Sequence, residues 1–104
     1  RSPYYALLDS GADNVLFPAD LAIAVGENDL TKGRIEQVIG VAGQKADVYF
    51  YDGLELQVLG DSRKLSTSIG FSDKILIPIL GRSFFRHFKA VIFNEEKEEI
   101  ELKF

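Results

Sequence analysis

Apolar residues along the chain occur both as short runs and in alternation with polar residues. Residues 4–8 form an apolar run that ends at the turn-prone sequence Asp-Ser-Gly, which predicts a buried strand. Residues 14–17 are compatible with a second, short strand. Residues 35–58 favour a period of two, and residues 65–71 alternate again; the apolar positions in the first range include Ile35, Val38, Val41, Val48, Phe50, Leu54, Leu56 and Val58. This period predicts antiparallel strands with one face toward the core.

Turn-forming residues interrupt the alternating region at two places. Gly40 and Gly43 bracket a stretch that predicts a hairpin tip. Asp52 and Gly53 then predict a second turn or bend.

Two segments favour short helices. Residues 18–25 begin with Pro18 and are followed by Gly26, which predicts one or two helical turns. Residues 81–88 carry phenylalanines at helix-compatible positions, with basic residues between them.

The last third of the chain adds further strands. Residues 75–80 are almost wholly apolar and predict a strand buried on both faces, although Pro78 favours an edge or an irregular stretch. Residues 90–93 and 100–104 flank an acidic turn and predict a final hairpin. The fold class is therefore mostly β, with one or two short helices.

Length and composition fit one compact globular domain over residues 1–104. The 104 residues are 46% apolar and 27% charged, which is typical of a folded chain. The sequence begins with Arg1, so we expect a fragment or a processed domain.

Charge and residue usage exclude several classes of function. The net charge is −4 and the basic residues are scattered, which argues against a nucleic-acid partner. No apolar run approaches the length of a membrane span. With no cysteine and a single histidine, the chain has no disulfide or thiolate metal site, and we expect neither a metal nor a cofactor. The absence of cysteine is compatible with any compartment.

The sequence ALLDSGADN at residues 6–14 places the carboxylate of Asp9 directly after two leucines. Burying an ionised carboxylate without a partner costs several kcal/mol, so such a group has a structural partner or a chemical role. The structural alternative is a turn carboxylate that caps local N–H groups.

A catalytic Asp9 would need a second carboxylate. No other Asp-Ser-Gly or Asp-Thr-Gly occurs, but two copies of the chain around a two-fold axis would bring two Asp9 side chains together. Facing aspartates share one proton, so one acts as base and the other as acid. Such a pair can activate water for attack on a peptide carbonyl without a covalent intermediate.

Four segments in order resemble the retropepsins, the single-domain aspartic peptidases of retroviruses and their relatives, which work as homodimers. Residues 7–13, LLDSGAD, resemble the catalytic motif, and residues 39–43, IGVAG, resemble the glycine-rich flap tip. Residues 48–58 resemble the strands that follow the flap, and residues 79–82, ILGR, resemble the element before the family's helix. The likeness extends over roughly residues 5–93. It implies a closed, barrel-like acid protease fold with a flap hairpin.

The resemblance also implies roles for individual residues. Asp9 would be catalytic, Ser10, Gly11 and Ala12 would support the active-site loop, and Asp13 would pair with Arg82, contact substrate backbone, or both. An extended peptide would bind between flap and floor. The implied substrate-binding residues are Leu7, Gly11, Asp13, Ile39, Gly40, Val41, Ala42, Gly43, Ile77 and Ile79.

Other interpretations remain open from the sequence. Leu7, Ile77 and Ile79 would also suit a core. The chain would also suit a catalytically inactive module that dimerises or binds peptides. Residues 94–104 run beyond the short ending of the viral enzymes, so the mode of dimerisation is open.

Overall fold

The computed structural model describes residues 5–25, 29, 32–39, 45–58, 60–94 and 99–103. Six strands form the main sheet, in the spatial order β1-β6-β2-β5-β4-β3. These strands are β1 (Leu7–Leu8), β2 (Val15–Pro18), β3 (Arg34–Ile39), β4 (Lys45–Gln57), β5 (Lys64–Ser72) and β6 (Ile79–Leu80).

The remaining elements are a second sheet and two short helices. Strands β7 (Ala90–Asn94) and β8 (Glu99–Lys103) form an antiparallel hairpin. A 3₁₀ helix spans Ala19–Val25, and one α-helix, α1, spans Arg82–Phe85. The predicted fold class, mostly β with one or two short helices, is confirmed. Within the described ranges, no helix is long and apolar enough to cross a membrane.

The core lies mainly around β2 and β5. Phe71 on β5 is fully buried, and its ring makes edge-to-face contacts with Phe17 and Tyr51 at centroid distances of 6.2 and 6.0 Å. Edge-to-face pairs add to the stabilisation from apolar burial. The main cluster consists of Val15, Phe17, Ala22, Leu65, Ile69, Phe71, Phe84 and Phe88.

The prediction of a doubly buried strand over residues 75–80 is wrong in extent and in burial, whereas the irregular stretch that Pro78 favours matches the structure of residues 75–78. Strand β6 contains only Ile79 and Leu80, while the side chains of Leu76 and Ile77 are 88% and 59% exposed. An apolar run in the sequence does not by itself show whether its side chains are buried in the core or exposed on the surface.

The second predicted turn, at Asp52 and Gly53, is an irregularity inside a continuous strand. The pairing of β4 with β5 shifts register between Tyr51 and Leu54 and then resumes. Gly53 has a φ of 72°, a conformation that glycine adopts readily. Turn-forming residues also form β-bulges, and here the long partner strand keeps β4 straight enough to pair on both sides.

Both strands of the predicted hairpin, β3 and β4, are present and paired. Antiparallel pairing runs from Arg34 opposite Phe50 to Ile39 opposite Lys45. The predicted tip residues Gly40, Val41, Ala42 and Gly43 lie outside the described residues.

Candidate active site

Asp9 directly follows β1, whose position is fixed by β6. The two strands pair in parallel, with Leu7 opposite Ile79. The Leu7 N–H donates to the Pro78 carbonyl at 2.8 Å, and the Asp9 N–H donates to the Leu80 carbonyl at 3.1 Å. The backbone of Asp9 is therefore held by a neighbouring strand.

The turn after Asp9 orients the carboxylate itself. The Gly11 N–H donates to Asp9 Oδ1 at 2.9 Å, and the Ala12 N–H donates to the Asp9 carbonyl at 3.1 Å. A Cβ at Gly11 would lie 3.2 Å from the same carboxylate oxygen, a tight contact. Glycine at this position lets the turn close around a partly buried carboxylate, while Ser10 lies exposed beside it.

Three backbone hydrogen bonds tie this loop to the start of α1. The N–H groups of Gly81, Arg82 and Ser83 donate to the carbonyls of Asn14, Ala12 and Asp13 at 3.1, 2.8 and 2.9 Å respectively. The helix thus satisfies the loop's carbonyl groups with N–H groups that its first turn cannot use internally.

The side chains of Asp13 and Arg82 reinforce the same junction. Arg82 Nη2 donates to Asp13 Oδ1 as an ion pair. Both side chains are more than half exposed, so the pair lies at the rim of the loop. A contact of Asp13 with substrate remains a prediction.

Apolar side chains lie along the strands that hold Asp9. Leu7 is 55% exposed, and Ile77 is also exposed, so neither belongs to the core. Ile79 is different, because it packs against a second cluster formed by Leu16, Val48 and Phe50. Ile39, at the end of β3, is exposed as well.

Two residues at this site were missed by the sequence interpretation. Leu76 is more exposed than Ile77 beside it, and buried Pro78 supplies the carbonyl that receives the Leu7 N–H. The signal that could have identified them was Pro78 itself, which ends regular pairing within an apolar run.

Metal chemistry has no candidate ligand set in the described ranges, where no group of three or more His, Asp or Glu side chains is placed to hold an ion. The arrangement offers instead an oriented carboxylate beside exposed apolar side chains. Hydrolysis by general acid–base catalysis is the chemistry that such a carboxylate supports when a second one faces it.

In comparisons with known proteins, the chain is similar to solved structures. No protein-family model matches the chain, and no curated protein sequence matches it. The protease of EIAV, solved in complex with the inhibitor HBY-793, is similar over 82% of this chain and 76% of its own, with 25% identity and a TM-score of 0.61.

A bacterial structure is similar over a larger share of this chain. A retropepsin-like aspartic protease from Rickettsia conorii matches 88% of this chain and 66% of its own length, with 18% identity and a TM-score of 0.67. The chain has a retropepsin-like aspartic protease fold.

Proposed function

We propose that this chain is an aspartic endopeptidase that acts as a homodimer, with Asp9 of each copy forming the catalytic pair. The observation that carries the proposal is the Asp9 carboxylate, which Gly11 orients at the end of β1 on a retropepsin-like fold. A carboxylate that only caps the N–H groups of its own turn would require neither this fold nor exposed apolar side chains beside it.

The chemistry follows from sharing a proton between two carboxyl groups. Two facing Asp9 side chains hold one proton between them, because two adjacent negative charges repel. The ionised carboxylate takes a proton from water, which attacks the peptide carbonyl, while the protonated one donates to the carbonyl oxygen. Collapse of the tetrahedral intermediate then needs a proton for the leaving amine, which the pair also supplies.

The proposed substrate is an extended peptide with apolar side chains. Leu7 and Ile77 expose apolar surface beside the loop that carries Asp9, and Ile39 exposes more at the end of β3. Gly11 and Asp13 lie in the same loop and are the proposed contacts for peptide backbone. The proposed flap, residues 39–43, would cover the peptide from the side of β3 and β4.

The test is cleavage of a peptide library by the wild-type chain and by Asp9→Asn. Asp9→Asn keeps the size of the side chain and the Gly11 N–H acceptor, so we expect the fold to persist and cleavage to disappear. Asp73→Asn is the matched control, since it removes an exposed carboxylate from the turn after β5 and should leave cleavage unchanged.

Equal cleavage by wild type and Asp9→Asn would rule out the proposal. A wild-type chain that binds peptides and dimerises, yet cleaves none of them, would instead support the inactive binding module. Circular dichroism of each variant shows whether the fold persists.

A further inference from the structure

Positive charge is concentrated on α1 and on the turn that follows it. Residues 82–89 read RSFFRHFK, so they contain two arginines, a lysine and a histidine but no Asp or Glu. The whole chain has a net charge of −4, so this segment is opposite in sign to the chain as a whole. The proposed function gives these cations no role, apart from the contact of Arg82 with Asp13.

The cations of this segment are exposed, while its phenylalanines pack into the core. The Arg86 N–H donates to the Arg82 carbonyl at 3.1 Å, so these two side chains lie one helical turn apart on the same face. The next two N–H groups donate to carbonyls three residues earlier, so helical winding continues toward Lys89. Arg82, Arg86 and Lys89 are all exposed, and we call these three residues the basic ridge.

Two of the three cations lack a counterion. Arg82 is paired with Asp13, but neither Arg86 nor Lys89 forms an ion pair within the described ranges. Like charges one helical turn apart repel each other, and a bound anion offsets that repulsion. The basic ridge therefore favours an anionic partner.

A fourth cation lies at the far end of the basic ridge. The Lys89 N–H donates to the Lys103 carbonyl at 2.6 Å, which brings β8 beside the ridge. Lys103 Nζ lies 3.9 Å from Glu101 Oε1, so its charge is partly neutralised. The free positive charge thus belongs mainly to Arg86 and Lys89.

The basic ridge begins at the loop that carries Asp9. The first turn of α1 donates two backbone hydrogen bonds to this loop, at 2.8 and 2.9 Å. Arg82 in that turn pairs with Asp13, which is a proposed contact for peptide backbone. At about 1.5 Å per helical residue the ridge is roughly 10 Å long, which is the length of about three residues of an extended peptide.

We propose that the basic ridge binds acidic side chains of the peptide substrate, beyond the part of the peptide that lies at Asp13. The inference rests on the proposed function and names its substrate class: extended peptides with apolar residues around the cleaved bond and Asp or Glu further out. Each subunit of a two-fold homodimer carries one ridge, so acidic residues at either end of the peptide are bound.

The number of free cations suits an acidic peptide better than a larger polyanion. Nucleic acids and anionic membranes bind through many cations at once. The basic ridge offers two free cations on a chain whose net charge is −4, which matches two or three carboxylates.

The first test measures binding without cleavage. A fluorescein-labelled hexaglutamate peptide is titrated with wild type and with the double variant Arg86→Gln, Lys89→Gln, and fluorescence anisotropy is recorded. We expect about threefold weaker binding for each change and about tenfold for both at low ionic strength. Added salt should reduce the difference. The matched control, Lys32→Gln with Lys64→Gln, removes two exposed lysines elsewhere and should bind as wild type does.

The second test measures cleavage of one apolar library peptide that carries either three Glu or three Gln residues at one end. The contacts of the ridge are the same before and during the reaction, so they lower KM and leave kcat unchanged. We expect wild type to have about a tenfold lower KM for the Glu peptide. The double variant should lose this preference, and the lysine control should keep it.

The outcomes separate the ridge from the enzyme. Equal hexaglutamate binding by wild type and the double variant would overturn the basic ridge, and so would equal KM values for the Glu and Gln peptides. Tighter binding of a short DNA duplex or of phosphatidylserine vesicles would overturn its assignment to acidic peptides. Hexaglutamate binding that depends on the ridge, in a chain that cleaves no peptide, refutes the enzyme and supports the ridge as a surface for acidic peptides.

Discussion

Gly81 lies where the proposed catalytic loop and the start of α1 leave no room for a side chain. A Cβ at this position would lie 2.5 Å from the Asn14 carbonyl oxygen and 2.6 Å from that of Ala12. Both atoms belong to backbone, which cannot rotate away as a side chain can. The glycine is therefore required by the space between the loop and the helix.

Gly81→Ala should for this reason lower both stability and activity. We expect a loss of about 1–3 kcal/mol in the free energy of unfolding, measured by urea denaturation. Cleavage should fall further, because the loop that carries Asp9 must move. Gly60→Ala is the control: among the described residues that are not its chain neighbours, no atom lies within 4 Å of the added Cβ, and only the positive φ of 90° is strained. Equal activity in the two variants would contradict this role of Gly81.

The Asp13–Arg82 pair should matter more for activity than for stability. Both side chains are exposed, so breaking the pair should cost less than about 1 kcal/mol of unfolding free energy. Arg82→Lys keeps the charge but loses the planar donor, and we expect cleavage to fall by about 10- to 100-fold as the loop shifts. Asp13→Asn with Arg82→Lys completes a double-mutant cycle. Additive losses in cleavage would show that the two side chains act independently.

The residues of the proposed catalytic loop could be named from sequence because their order is itself a signal. Asp9, Gly11 and Arg82 fall in short motifs whose spacing follows the fold, and the structure joins the loop to the helix through Ala12 and Asp13. Exposure could not be predicted in the same way. Leu76 belongs to an apolar run, and only its neighbours in space determine that it is exposed.

At the scale of elements, the base of the β3–β4 hairpin is held by charges across strands. Arg34 Nη1 on β3 lies 2.9 Å from Asp52 Oδ2 on β4, and its Nε lies 3.1 Å from Glu36 Oε2. The guanidinium also lies 5.5 Å from the centroid of the Phe50 ring. The contacts with Asp52 and Phe50 link β3 to β4 at the bulge and beside it, whereas Glu36 lies on β3 itself.

The ion pair between Arg34 and Asp52 makes the contact between β3 and β4 dependent on pH. The Ser68 hydroxyl and the Arg34 guanidinium hold the pKa of the Asp52 carboxyl below its usual value. A carboxyl whose pKa is lower in the folded state adds stability above its unfolded pKa, and that stability is lost as the pH falls through the folded pKa.

Asp52→Asn should therefore lower the free energy of unfolding slightly near neutral pH, and the difference from wild type should shrink as the pH falls below the ordinary pKa of an aspartate and through the lower pKa of folded Asp52. Urea denaturation across this pH range measures it. Glu55→Gln, an exposed carboxylate on the same strand, controls for a general effect of charge. A difference that persists unchanged at the lowest pH would mean that the carboxylate charge is not the cause.

The bulge in β4 shows how far the sequence could predict the strands of this sheet. Residues 52 and 53 carry a local turn signal, and the signal correctly indicates a departure from regular strand geometry. Whether the chain reverses there depends on β5, which pairs with β4 on both sides of the bulge. The pairing of strands that are distant in sequence depends on the whole sheet, so a local sequence pattern cannot predict it.

At the scale of the whole molecule, one chain carries one Asp-Ser-Gly loop, so the proposed enzyme needs two chains for each site. Mixing wild type with Asp9→Asn tests this requirement directly. If subunits exchange freely and a pair needs both carboxylates, a roughly ninefold excess of Asp9→Asn should reduce the cleavage rate of a fixed amount of wild type by about tenfold. The same excess of a variant that does not associate should leave the rate unchanged. If excess Asp9→Asn has no effect on the rate, each chain acts alone and the shared carboxylate pair is excluded.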